Sequence, residues 1–186
     1  MKRLFVGLGI PSPVMAALRS MCYGVSGARW EDENRMHLSL RFIGEVDGMA
    51  FREILEQLSH IVHPSFEIKI KGVGFFPPRG MPRVLWAGIE RNDQLLALQH
   101  KIENTLVRKT GLKPERRNYF PHVTLARLKR VLEKDVARFV MDHSLLQMPP
   151  FTAGEFHLFS SILSAKGSKY FKESTYELIK KPDAGL

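Results

Sequence analysis

Two short segments of this chain each place a histidine and a hydroxyl side chain two residues apart. The first is His37 with Ser39 and the second is His122 with Thr124; an apolar residue stands between them and a leucine follows. Alternate side chains of a β-strand point to opposite faces, so each histidine should share a face with its hydroxyl neighbour. Two such pairs facing one cleft would supply two groups for proton transfer and two hydrogen-bond donors. That combination suits phosphate ester chemistry.

The two imidazoles could act on opposite sides of a phosphorus atom in an in-line displacement. One would remove a proton from the attacking oxygen, and the other would protonate the leaving oxygen. The sequence has no Cys/His metal cluster, no phosphate-binding glycine-rich loop and no G-x-S-x-G motif. We therefore expect neither a metal nor another cofactor. The other histidines have no matched partner and are interpreted as surface or packing residues.

An internal repeat positions the two motifs. Residues 4–8 resemble residues 85–89, and each segment precedes one motif in the same order. Both units show strand and helix patterns in a similar succession. This order predicts an α+β or α/β protein of two similar lobes, related by a pseudo-twofold axis that sets the motif strands side by side.

The predicted helices begin at residues suited to capping. Ser12 should cap the first, Asp47 the second, and Asn92 or Asp93 the third, which Gly111 should end. A fourth helix is predicted near residues 132–143. Outside the motifs, strands are predicted over residues 3–9, 66–70, 83–90, 155–163 and 170–180.

The composition is that of a globular protein with a basic surface. The chain has 186 residues and a formal charge of +9, which favours a polyanionic partner such as RNA. The single Cys22 fits a reducing compartment, so we expect a cytoplasmic protein. No apolar run reaches the roughly 20 residues of a membrane helix, so no membrane contact is expected. We expect a monomer.

Around the motifs the chain resembles the 2H phosphoesterase superfamily, and more closely the RNA 2′,3′-cyclic phosphodiesterases, also called 2′-5′ RNA ligases. The resemblance covers nearly the whole chain. Its clearest parts are residues 3–6, 37–45, 74–88 and 120–127. The first motif departs slightly from the family, because Ser39 stands where threonine is commoner.

The resemblance implies a single domain over residues 1–186 with the α+β 2H fold. Antiparallel sheets would line a central cleft, and helices would lie outside. The pseudo-symmetric lobes would cover approximately residues 1–75 and 83–180, with some elements crossing between them.

The resemblance also implies an activity, the metal-free hydrolysis of an RNA-terminal 2′,3′-cyclic phosphate to a 2′-phosphate. His37 would protonate the departing 3′ oxygen, and His122 would activate water. The reverse reaction, which joins RNA ends through a 2′-5′ bond, is a weak activity of the family.

Three further residues are candidates for substrate binding through the resemblance. Arg127 would contact phosphate or stack on the base, Phe42 would help to hold the nucleobase, and Tyr170 belongs to the family's C-terminal pattern. Ideal strand alternation puts Phe42 and Arg127 opposite the catalytic face. A bulge, a twist or a strand end would have to turn both side chains to the catalytic face.

The expected partners are RNA ends or cyclic nucleotides. Residues 113–120 and 75–83 mix basic and aromatic side chains, as single-stranded RNA sites do. Two other functions stay open. One is a phosphodiesterase that cuts 2′-5′ oligoadenylate, and the other is a nucleotide- or RNA-binding module without turnover.

Overall fold

Segments of alternating apolar and polar residues form the strands of this α+β protein, as predicted. The computed structural model describes residues 1–164 and 167–180. The strands are β1 (Lys2–Gly9), β2 (Ala28–Trp30), β3 (His37–Val46), β4 (Phe66–Ile68), β5 (Ile70–Phe76), β6 (Val84–Ile89), β7 (His122–Leu128), β8 (Phe151–Ala153), β9 (Glu155–Ser164) and β10 (Gly167–Glu177).

The large sheet has the order β10-β9-β1-β3-β7-β6-β5, with β2 paired to β7, and all its ladders are antiparallel. A separate small sheet joins β4 to β8. The two motif strands, β3 and β7, are neighbours at the middle of the large sheet. Strand β9 from the second half of the chain lies beside β1, with β10 on its outer edge, and β5 from the first half lies beside β6. The two sides of the sheet are therefore built from both halves of the sequence.

The helices begin and end largely where their caps predict. Asp47 accepts hydrogen bonds from two backbone N–H groups of the second helix, and Asn92 accepts one in the third. Gly111 follows the third helix with a left-handed φ of 67°, which glycine adopts without strain. The helices are α1 (Ser12–Ser20), α2 (Gly48–Ser59), α3 (Asp93–Thr110) and α4 (Glu133–Asp142).

Two local predictions are wrong. Ser12 does not cap α1; it is the first helical residue, and Pro11 occupies the cap position without a side-chain hydrogen bond. The strand predicted over residues 66–70 is interrupted at Lys69. The chain changes partners there, because β4 pairs with β8 whereas β5 pairs with β6.

The core lies against one face of the motif strands. Leu38 and Leu40 of β3 and Val123 and Leu125 of β7 are each at most 2% exposed. Their burial leaves the alternate side chains, which include both histidines, on the opposite and partly open face. Among the residues that the structure describes, no helix is long and apolar enough to cross a membrane.

A buried arginine joins β3 to α3 and to the loop before β7. The Arg41 side chain is 7% exposed, and its Nε lies 2.5 Å from Oε2 of Glu103 in α3. One terminal nitrogen donates to the carbonyl of Lys113, and the other lies 3.4 Å from Oε2 of Glu115. This contact fixes the loop over residues 112–121 against the first motif strand.

Replacing Arg41 should therefore destabilise the fold more than breaking a surface ion pair. Arg41→Ala should lower the free energy of unfolding by about 3 kcal/mol, because it leaves the Glu103 carboxylate without its buried partner. Lys2→Ala removes the exposed pair with Glu173 and should cost at most about 1 kcal/mol. Urea denaturation of both variants measures the difference. Equal losses would contradict a structural role for the buried pair.

Candidate active site

A β-bulge interrupts each motif strand at the same distance from its histidine. β1 pairs Val6 with Arg41 and Gly7 with Ser39, so β3 has one extra residue, Leu40. β6 likewise pairs Leu85 with Ala126 and Trp86 with Thr124, so β7 has one extra residue, Leu125. Each bulge comes three residues after the histidine.

The bulges bring Phe42 and Arg127 to the face of the histidines. After an extra residue the side-chain alternation reverses, so the residue five positions after each histidine shares its face. Phe42 is 48% exposed and lies 5.1 Å from the Arg3 guanidinium, while Arg41 before it is buried. The Arg127 side chain is 65% exposed, and Ala126 before it is buried. Simple alternation puts both residues on the wrong face.

Both imidazoles are held by the same kind of hydrogen bond. Nδ1 of His37 lies 2.7 Å from the carbonyl oxygen of Arg35, and Nδ1 of His122 lies 2.8 Å from that of Phe120. A carbonyl oxygen only accepts, so Nδ1 is the donor in each ring. Nε2 is therefore the nitrogen available for proton transfer in both histidines.

Aromatic rings fix the orientation of each imidazole. The His37 ring lies 4.7 Å from Phe5 and 5.2 Å from Tyr170, which meets it edge-on. The His122 ring lies 5.0 Å from Phe76, also edge-on. The structure therefore places Tyr170 beside the first histidine, together with Phe5.

Burial and neighbouring positive charge favour the neutral form of both histidines. Burial is the largest cause that lowers the pKa of His37, and the nearby His122 and Arg127 lower it further. Burial also lowers the pKa of His122, again with a contribution from Arg127. The carbonyl hydrogen bonds act in the opposite direction. An anion bound between these groups would offset their mutual repulsion.

A carboxylate that the sequence analysis missed lies at this site. Oε1 of Glu31 is 3.6 Å from Nε of Arg127, and Oε2 is 3.2 Å from Nε of Arg35. The Glu31 backbone N–H donates to the carbonyl of Leu125, the bulged residue of β7. The β2 strand that ends just before Glu31 pairs with β7. No local pattern marks Glu31, because its role depends on this pairing.

The remaining candidates lie where the motifs predict. Ser39 and Thr124 are half-buried on the face of their histidines. His157 is a third imidazole on β9, buried and bonded through Nδ1 to the Thr175 hydroxyl. It has a packing role, as expected for the unmatched histidines.

The site thus gathers two imidazoles, two hydroxyls and one guanidinium on a single face. Within residues 1–164 and 167–180, no three His, Cys, Asp or Glu side chains are placed to hold a metal ion. The arrangement can move two protons and stabilise negative charge between the motif strands.

Comparison with known proteins shows the family of this chain. The family model described as LigT-like phosphoesterase matches residues 8–86 and 88–170. The chain belongs to the LigT-like phosphoesterase family. Each of the two matched segments contains one of the two motifs.

Curated relatives of this LigT-like phosphoesterase carry the name RNA 2′,3′-cyclic phosphodiesterase. The protein from Thermotoga maritima is 36% identical over 148 residues, which is 77% of this chain and 76% of that protein. The protein from Archaeoglobus fulgidus is 31% identical over 171 residues, or 90% of this chain and 96% of that one.

Solved structures share the fold. TT0787 of Thermus thermophilus has a TM-score of 0.79 at 23% identity, with 97% of this chain and all of that chain covered. LigT of E. coli complexed with 3′-AMP has a TM-score of 0.75 at 21% identity, with 95% and 98% covered.

Removing the Arg127 charge should raise the pKa of both motif histidines. The guanidinium disfavours the imidazolium form of each, so Arg127→Gln should move both NMR titration midpoints to higher pH. His157 provides an internal control, because burial and Lys172 lower its pKa and Glu155 raises it. An unchanged midpoint for His37 and His122 would show that Arg127 does not act on the pair.

Proposed function

We propose that this LigT-like phosphoesterase hydrolyses the 2′,3′-cyclic phosphate at an RNA end to a 2′-phosphate. The observation that carries the proposal is the pair of matched imidazoles on adjoining strands, each with Nδ1 bonded to a carbonyl and Nε2 left for proton transfer. The names of the curated relatives support the same substrate.

In the proposed reaction, His122 takes a proton from water as the water oxygen attacks phosphorus. The bond between phosphorus and the 3′ oxygen breaks, and protonated His37 gives its proton to that oxygen. The products are a 2′-phosphate and a free 3′-hydroxyl. With an RNA 5′-hydroxyl in place of water as the nucleophile, the same two proton transfers would form a 2′-5′ bond, the weak ligase activity.

The other side chains of the site stabilise the reacting phosphate. Ser39 and Thr124 donate hydrogen bonds to its oxygens, and Arg127 supplies a fixed positive charge. Phe42 holds the terminal nucleobase, and Tyr170 orients the His37 ring through their edge-on contact. The partners are RNA ends or cyclic nucleotides, and the protein works as a cytoplasmic monomer.

Loss of either motif histidine should abolish most of the turnover. His37→Ala and His122→Ala should each lower kcat by at least ~10²-fold, the usual contribution of one acid or base. Product analysis with nucleoside 2′,3′-cyclic monophosphates measures this. The matched control is His100→Ala, which changes an exposed histidine of α3. A normal rate in either motif variant would remove that histidine from the mechanism.

Hydrolysis should continue when divalent metal ions are removed. The two imidazoles and the hydroxyl and guanidinium donors suffice for the proposed proton transfers and charge stabilisation. We expect the same rate in excess EDTA as in its absence. A loss of activity that a divalent ion restores would overturn the metal-free scheme.

Hydrolysis of 2′-5′ oligoadenylate with no action on cyclic phosphates would instead favour that alternative substrate.

A further inference from the structure

A half-exposed aromatic ring stands beside His122 and has no part in the proposed reaction. Phe120 is 49% exposed and precedes the histidine by two residues. Its own carbonyl holds the His122 ring, with 6.4 Å between the ring centroids. The backbone carbonyl of Phe120 therefore accepts the hydrogen bond from the His122 imidazole, while the Phe120 side chain remains exposed to solvent.

Two other rings support Phe120 from behind. It meets Phe76 edge-on at 5.5 Å and lies 5.1 Å from Trp86. Trp86 in turn packs closely over Gly74, where any side chain would collide with the indole. An exposed ring held in this way is a preformed stacking surface, because little side-chain freedom is lost on binding.

The register places this ring at the same end of the cleft as Phe42. Leu38 lies opposite Val123 in the antiparallel pair of β3 and β7. The part of β3 that carries Phe42 therefore runs beside the loop residues just before β7, which include Phe120. The Tyr119 hydroxyl donates to the carbonyl of Ser39 across the same seam, at 3.0 Å. Two half-exposed rings, Phe42 on β3 and Phe120 in the loop before β7, thus stand at one end of the cleft.

Positive charge continues outward from these rings. Arg116 and Arg117 are exposed in the loop before Phe120. Their backbone N–H groups donate to one oxygen of Glu115, whose other oxygen faces the buried Arg41. The loop is therefore held in place while its two guanidinium groups remain open for phosphate.

We propose that Phe120 is the stacking platform for the penultimate base of the RNA. This inference rests on the proposed function, with the terminal base on Phe42 and the cyclic phosphate between the histidines. The next base lies on Phe120, and the following phosphates pass Arg116 and Arg117. Aromatic stacking accepts any base, so the subsite selects for chain length and not for sequence.

The test separates base stacking from phosphate contact. Three substrates are compared: adenosine 2′,3′-cyclic phosphate, the dinucleotide ApA with a terminal 2′,3′-cyclic phosphate, and the same dinucleotide without its 5′ base. We expect kcat/KM for the complete dinucleotide to exceed that for the abasic one by about tenfold, at high salt as well as low. The advantage should arise mainly in KM.

Substitutions of Phe120 test whether this ring provides the advantage of the complete dinucleotide. Phe120→Ala and Phe120→Leu should remove it, and Phe120→Trp should retain it. Phe171→Ala should leave it intact, because Phe171 is similarly exposed, at 47%, but lies on β10 opposite the buried Ser160. Replacing Arg116 and Arg117 together with alanine should reduce only the salt-dependent preference for a trinucleotide with the same terminal 2′,3′-cyclic phosphate over the dinucleotide, because the phosphates beyond the penultimate base pass these two residues.

Equal kcat/KM values for the complete and abasic dinucleotides in the unaltered protein would overturn the proposal. So would an advantage that persists in Phe120→Leu. Both results differ from failure of the proposed function, in which none of the three substrates would be hydrolysed.

Discussion

Burial of one face of β3 and β7 is the constraint on which the site depends. Leu38, Leu40, Val123 and Leu125 are almost completely removed from water, and their transfer back to solvent would cost each strand several kcal/mol. A register slip by one residue would exchange the two faces, so the buried leucines and valine also hold the histidines in place. The catalytic face is therefore maintained by the opposite side of the same strands.

The bulges bring more side chains to the catalytic face than strict alternation would. An unbroken strand would place only every second residue on the cleft. With an extra residue at Leu40 and at Leu125, the positions five residues after each histidine also reach that face. One bulge delivers an aromatic ring, Phe42, and the other a guanidinium, Arg127. The duplicated backbone thus carries different side chains at equivalent positions, which suits a substrate with a base on one side and phosphate charge on the other.

Electrostatics and loop anchoring act together around the second motif. Burial lowers the pKa of both imidazoles, Arg127 lowers it further in each, and Glu31 lies 3.6 Å from the Nε of Arg127. The loop before His122 supplies the carbonyl that orients this ring, and the buried Arg41 fixes that loop to β3. The geometry of the second histidine is therefore coupled to the first motif strand through a contact on the core side of the sheet.

Local sequence patterns were enough to predict the two His-x-hydroxyl motifs, the side of the strand on which they lie and most element boundaries; they left the α+β and α/β classes open, and the family resemblance implied α+β. The motifs and boundaries follow from local rules, because side-chain alternation, helical spacing and capping depend on neighbouring residues. The tertiary structure alone decides that β5, from the first half of the chain, joins β6, and that β9 and β10, from the second half, join the side of the sheet that contains β1. The same holds for the face of Phe42 and Arg127 and for the proximity of Glu31. A bulge exists only relative to the strand that pairs with it, and an ion pair between distant segments exists only once the sheet brings them together.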